Sequence, residues 1–252
     1  MGMGWSYDSC CNYDNKRSHG QRSYIQQSGF QVESYPLTQC TRNQTRGYVL
    51  IFMNTKFRTL GTLNSGGQHD KLCELFEGVH FSVRVYGNAK ARDIEKHISE
   101  YANRTGSCFI VFLSSHGSNG NICGSDDKLV KLEDLFRAAN TLKLKGKPKL
   151  FFIDACRTGR RDSRVPELLH SDFFVGYSCL SRQTSYDKGG GLYFKLMIDV
   201  YKDGLKYPAK DHSKERTVLH WQDKISALLC RDGQQQCMSK SSLTKKLFLH
   251  NR

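Results

Sequence analysis

The sequence contains no C-x-x-C pair. None of its ten cysteines (positions 10, 11, 40, 73, 108, 123, 156, 179, 230 and 237) has the cysteine or histidine spacing of a zinc module. That excludes a zinc finger or ribbon as the organising principle, and neither a metal nor any other cofactor is expected. Also missing are an apolar run of membrane-spanning length and an apolar secretory region near the first residues. Several cysteines lie inside apolar runs, as free buried thiols do, so the expectation is a reducing, cytoplasmic setting without stable membrane association. The sequons at Asn43 and Asn103 carry little weight in such a setting. There is no internal repeat and no nucleic-acid-binding motif. The net charge of +14 is spread along the chain, so it reads as a solvated basic surface and no nucleic-acid partner is expected. Met1-Gly2-Met3-Gly4-Trp5-Ser6 fits the loose N-myristoylation pattern, with Lys16, Arg17 and Arg22 following. One acyl chain alone would hold only weakly to a bilayer.

What is present is a globular pattern. The 252 residues, 38% of them hydrophobic, suffice to bury a sizeable core. Residues 1–45 are polar and rich in Ser, Gln, Asn and Tyr, and read as a flexible leader. Apolar runs at 47–54, 109–114, 149–153 and 172–178, with an alternating run at 80–86, read as strands. Amphipathic spacing predicts helices near 68–77, 90–104, 132–142, 191–204 and 218–228. The closing Leu243-Thr244-Lys245-Lys246-Leu247-Phe248-Leu249 reads as a final strand. Strands alternating with helices give an α/β fold, with a mostly parallel sheet covered on both faces.

Two of these runs end in reactive side chains. Phe151-Phe152-Ile153-Asp154-Ala155 delivers Cys156, and Phe109-Ile110-Val111-Phe112-Leu113-Ser114-Ser115 delivers His116 and Gly117. If the two strands are parallel neighbours, a thiol and an imidazole meet at one rim of the sheet. The imidazole can take the thiol proton and later protonate a leaving amine. Gly117 lets the backbone pass close to a substrate, and the N–H groups of Gly117 and Cys156 are natural oxyanion donors. Taken alone, a cysteine at a strand end is more often structural.

The motifs then resemble a known family. Ser115-His116-Gly117 with Ile122-Cys123-Gly124-Ser125-Asp126, and Lys147-Pro148-Lys149-Leu150-Phe151-Phe152-Ile153 before Ala155-Cys156-Arg157, are similar to the large subunit of animal caspases. Ser171-Asp172-Phe173-Phe174-Val175-Gly176-Tyr177-Ser178 and the closing Leu243–Phe248 segment resemble the small subunit, and Glu33-Ser34-Tyr35-Pro36 also fits. The resemblance implies a caspase-like three-layer α/β fold with a mostly parallel six-stranded sheet and helices on both faces. It divides the chain into a leader (1–45), a large-subunit-like region (46–160), a short basic linker (161–171) and a small-subunit-like region (172–252). It implies a cytosolic cysteine endopeptidase of protein or peptide substrates, with Cys156 as nucleophile and His116 as its partner. It further implies an oxyanion hole from Cys156 and Gly117, a role in apoptosis or related signalling, and a homodimer through the final strand or a heterodimer with another caspase.

The departures from that pattern bear on specificity. Caspases hold the substrate residue before the scissile bond, P1, as an aspartate, using two arginines and a glutamine. Here the glutamine position is Asp154. The first arginine position falls on Asn64, in Asn64-Ser65-Gly66, and the second on Asp187, in Ser185-Tyr186-Asp187-Lys188. With that register a P1 aspartate would meet like charges, and a P1 Arg or Lys would meet a matched anionic pocket. The Asp-x-Cys arrangement is similar to that of metacaspases and paracaspases, which cut after basic residues. Asp187 has a second reading as a solvated loop acid, with Arg182 re-registering into the pocket, and Asp154 has a second reading as a structural cap. The fifteen residues between Cys156 and Asp172 hold a single aspartate, Asp162, so activation by cleavage after aspartate is not expected. Lost arginines would also suit a decoy that regulates active caspases, but such a protein has no need of the Cys156–His116 pair.

Overall fold

Gly47–Met53 forms β1, with side chains alternating between two buried faces. After it come α1 (Gln68–Glu77), β2 (Ser82–Gly87), α2 (Ala91–Ala102) and β3 (Cys108–Ser114). Three short strands follow: β4 (Gly117–Ser118), β5 (Asn121–Cys123) and β6 (Leu129–Lys131). The chain continues with α3 (Leu132–Ala139), β7 (Lys149–Asp154), β8 (Phe173–Tyr177), α4 (Leu192–Lys206), α5 (Val218–Arg231) and β9 (Met238–Ser241). The structure, a computed structural model, describes residues 33–38, 44–64, 66–118, 120–156, 170–179, 191–206, 216–231 and 236–249. All of these belong to one compact unit, Val32–Arg252.

Six strands build the main sheet in the order β2-β1-β3-β7-β8-β9. The first five are parallel, and β9 runs antiparallel to β8. Strands buried on both faces must be apolar at consecutive positions, which is why β1, β3 and β7 read as unbroken hydrophobic runs. Val49, Ile51, Ile110, Phe112, Leu150 and Phe152 face α1, α4 and α5. Leu50, Phe52, Val111, Leu113, Phe151 and Ile153 face α2 and α3. This is the three-layer α/β sandwich that the sequence predicted.

One strand is not where the sequence put it. The closing run 243–249 does not form the sixth strand; that strand is the short, polar β9. Within 243–249, Leu247 and Leu249 plug the core at 1% and 0% exposure, and only Lys246 makes a bridge, to Ser34. The run is apolar because it caps a core, not because it pairs. The last part of the polar leader is docked as well: Tyr35 is buried and donates to Asp172 at 2.6 Å. Residues 1–32 and 39–43 of the leader and most of the basic linker lie outside the described residues.

Candidate active site

The site begins with strand register. β3 and β7 are parallel neighbours with Ser114 opposite Asp154. His116 and Cys156 each lie two residues beyond that pair, so both leave the sheet from the same rim. Cys156 is half-buried with a free thiol, and His116 is half-buried as well. The other described thiols are poorer nucleophile candidates. Burial pushes the Cys73, Cys108, Cys123 and Cys237 thiols upward from their ordinary value, Cys179 is fully buried, and Cys230 stands on the surface of α5.

His116 is held in one orientation. Its Nε2 lies 2.7 Å from the Gly61 carbonyl oxygen, and its ring packs on Phe57 with centroids 4.6 Å apart. A carbonyl oxygen can only accept, so Nε2 carries the hydrogen and Nδ1 is left with a lone pair for a proton. The backbone around the histidine is fixed from below. Ser115 is buried, its Oγ donates to the Cys123 carbonyl at 2.5 Å, and its N–H donates to the Asp154 carbonyl at 3.2 Å. The Cys123 N–H donates to the His116 carbonyl at 2.8 Å. Asn54, at the end of β1, ties the same corner together. Its amide group donates to the Ala89 and Cys123 carbonyls, each at 3.1 Å, and its Oδ1 accepts from the Ala89 N–H at 2.8 Å.

Gly117 lies against the Cys156 peptide. A Cβ at this position would stand 2.9 Å from the Asn121 carbonyl oxygen, 3.0 Å from the Ala155 Cβ and 3.1 Å from the Cys156 carbonyl oxygen. Two of those atoms are backbone, so nothing larger than glycine fits. The Gly117 main chain therefore packs closely on the Cys156 peptide.

Asp154 is 7% exposed and, like Leu150 and Phe152, falls on the strand face that meets α1 and α4. Its carboxylate lies beside Gly191, in the residue position before α4, where a Cβ would run into Oδ2. Gln68, the first residue of α1 and 6% exposed, donates its amide N–H to the Gly191 carbonyl at 2.9 Å. Asn64 lies exposed in the loop before α1, with its Oδ1 accepting from the Gly66 N–H at 2.9 Å. Ser185, Tyr186 and Asp187 lie outside the described residues.

Sequence reasoning named the groups that end apolar strands. It missed Asn54, Phe57, Gly61 and Gln68, which act on the site from elsewhere in the chain. Asn54 carried a readable signal, a polar residue closing the run Val49-Leu50-Ile51-Phe52-Met53. Gly61 carried none, because its contribution is a backbone carbonyl.

An α/β sandwich whose adjoining parallel strands end in a thiol and an oriented imidazole defines a class, the Cys-His α/β proteins. Comparison with known proteins makes the class specific. The family model described as Caspase domain matches residues 46–248. Cell death protein 3 of Caenorhabditis remanei is 30% identical over 209 residues, covering 77% of this chain and 41% of that protein. Caspase-1 of Drosophila melanogaster is 28% identical over 251 residues, covering 86% and 77%. Caspase-2 of Gallus gallus is 35% identical over 202 residues, covering 64% and 47%. The chain spans less than half the length of two of these three relatives. It belongs to the caspase-domain family.

Proposed function

We propose that this chain is a cysteine endopeptidase that cuts protein substrates after a basic P1 residue. In the first step the Cys156 thiol passes its proton to His116 Nδ1 and the sulfur attacks the scissile carbonyl. The N–H groups of Cys156 and Gly117 receive the oxyanion. The imidazolium then protonates the leaving amine, which departs and leaves a thioester on Cys156. Water, deprotonated by His116, hydrolyses the thioester and restores the thiol. The observation that carries this reading is the register of Ser114 with Asp154, which sends His116 and Cys156 off one rim at the same distance.

The basic P1 preference rests on Asp154, a buried carboxylate two residues before the nucleophile. Asn64 and the loop residues Ser185, Tyr186 and Asp187 complete the pocket in this reading. Charge-assisted hydrogen bonds contribute roughly 1.5–3 kcal/mol each, so a reversed pocket would change preference by orders of magnitude. The chain is expected to act in the cytoplasm, in apoptosis or related signalling, as a homodimer or with another caspase. β9 ends the order of the main sheet, and its outer edge is the natural place for a second copy to pair.

A P1 scan on the purified chain tests the reading. Arg and Lys peptides are expected to be cleaved at least about a hundredfold faster than the matched Asp peptide, with all turnover lost in Cys156→Ala. Faster cleavage after Asp would remove the basic P1 assignment. A chain that neither turns over any peptide nor takes up a thiol-reactive peptide probe at Cys156 would instead be a regulator of other caspases.

A further inference from the structure

We infer that Gln68 is a specificity-determining residue, a second acceptor that grips the P1 cation together with Asp154. The inference rests on the basic P1 reading and goes one residue further.

The geometry meets at Gly191, which adopts φ 72 and so has its backbone in the left-handed region. Gln68 reaches it from α1 and Asp154 from β7, two elements far apart in sequence. The Gln68 amide group is oriented by its own hydrogen bond: Nε2 donates to the Gly191 carbonyl, so Oε1 must point elsewhere. Oε1 lies 3.6 Å from the place where a Gly191 Cβ would stand, and Asp154 Oδ2 is closer still to that same point. The two oxygens are therefore within about 6 Å of one another, a gap that one cationic head with several N–H donors can bridge.

Both groups present oxygens to this spot. Gln68 Oε1 accepts no hydrogen bond from the described residues, and a buried carboxylate stands beside it. A guanidinium or ammonium, which can only donate, would find an acceptor in each of the two oxygens. The missing Cβ of Gly191 matters here too, because a side chain would fill the space between the two oxygens. Sequence reading passed over Gln68 because it opens a helix and looks like an ordinary surface residue at that position.

The test compares peptides with P1 arginine and P1 citrulline, which has nearly the same shape without the charge. The variants are Gln68→Met and Gln68→Lys. The first removes both the donor and the acceptor. The second keeps a donor for the Gly191 carbonyl and replaces the acceptor with a cation. In Gln68→Met the ratio of kcat/KM for arginine over citrulline is expected to fall about tenfold or more, mainly through KM. In Gln68→Lys the ratio is expected to fall further, although the link to Gly191 is kept. If both peptides lose activity in parallel in the two variants, Gln68 merely props Gly191 and the inference is overturned. An unchanged ratio overturns it as well. Failure of the basic P1 reading would look different: the wild-type chain itself would prefer aspartate over arginine before any variant is made.

Discussion

At the scale of single residues, the site depends on groups that have no room to change. Gly117 touches backbone on two sides, so Gly117→Ala must push the His116 corner away from Cys156. We expect it to cost about 1–3 kcal/mol of stability and about a hundredfold in kcat, because in the proposed mechanism an oxyanion donor moves with it. Thermal unfolding and steady-state kinetics on the same sample would check this, and wild-type turnover would contradict it. Asn54 is different, since it never faces the reaction. Its side chain bonds to two carbonyls and one N–H; Asn54→Ala leaves the Ala89 N–H without its acceptor at a buried corner, while the Cys123 and Ala89 carbonyls each lose one donor and keep Ser115 Oγ and the Ser125 N–H. The expected loss is about 1–3 kcal/mol, read from denaturant unfolding. The sequence made the first kind of residue visible and the second kind nearly invisible. Cys156, His116, Gly117 and Asp154 all sit where an apolar run stops, and such a stop marks a sheet rim. Gln68, Phe57 and Gly61 act across long stretches of chain, and no local pattern encodes a partner that distant.

At the scale of elements, the same contrast separates the strands. β1, β3 and β7 are buried on both faces, so their sequences could hardly be anything but apolar. β9 is short and lies at an edge, where Met238-Ser239-Lys240-Ser241 needs only main-chain pairing to hold its place. The sequence offered a better-looking strand a few residues later, and that segment was apolar for another reason. The loop between β1 and α1, which carries Phe57 and Gly61, is held by side chains rather than by pairing. Asn88 Oδ1 accepts from the Thr55 and Lys56 N–H groups at 2.9 and 2.8 Å. The Asp127 carboxylate accepts from the Arg58 N–H at 3.1 Å, the Thr59 N–H at 2.6 Å and the Thr59 hydroxyl at 2.7 Å. The hydroxyl bond from Thr59, helped by those N–H groups and the nearby Arg58, holds the Asp127 carboxyl below its ordinary value. A depressed folded-state value means that the clamp contributes fully above the unfolded-state value and is lost as pH falls through the folded one. Asp127→Asn should therefore lower Tm at pH 7, and its deficit against the wild-type chain should shrink as pH falls below about 4. A deficit that stays constant from pH 7 to pH 3 would show that the carboxylate charge is not what holds the loop.

At the scale of the whole molecule, the two halves of the chain are joined far from the site, at the opposite ends of the strands. Asp172 is the centre of that junction. Its carboxylate accepts from Tyr35 at 2.6 Å, Thr244 at 2.7 Å and Ser171 at 3.1 Å. Its main chain bonds to Lys149 at the start of β7 and to Ser242 after β9. Residues from before β1, from β7, from just before β8 and from the last segment thus meet on one residue. Burial alone would raise the Asp172 carboxyl, but the donors from Tyr35, Thr244 and Ser171 and the charge of Lys149 outweigh it and hold the group below its ordinary range. The junction is thus intact at neutral pH and weakens as pH falls through the lowered folded-state value. Asp172 also has φ 66, a conformation that Asn tolerates and Ala does not. Asp172→Asn therefore tests the charge alone, and Asp172→Ala adds backbone strain. This arrangement predicts what happens when the covalent link is cut. With a specific protease site built into 157–169 and then cleaved, β7 and β8 remain paired through five registered residues. The two fragments are expected to co-elute in size exclusion at pH 7, held by that pairing, by the shared core and by the Asp172 junction. In the cut Asp172→Asn chain the fragments are expected to part at a lower urea concentration than in the cut wild-type chain, and Asp172→Ala should part sooner still. Fragments that separate at once in buffer would mean that the intact link, and not the junction, holds the two halves in register.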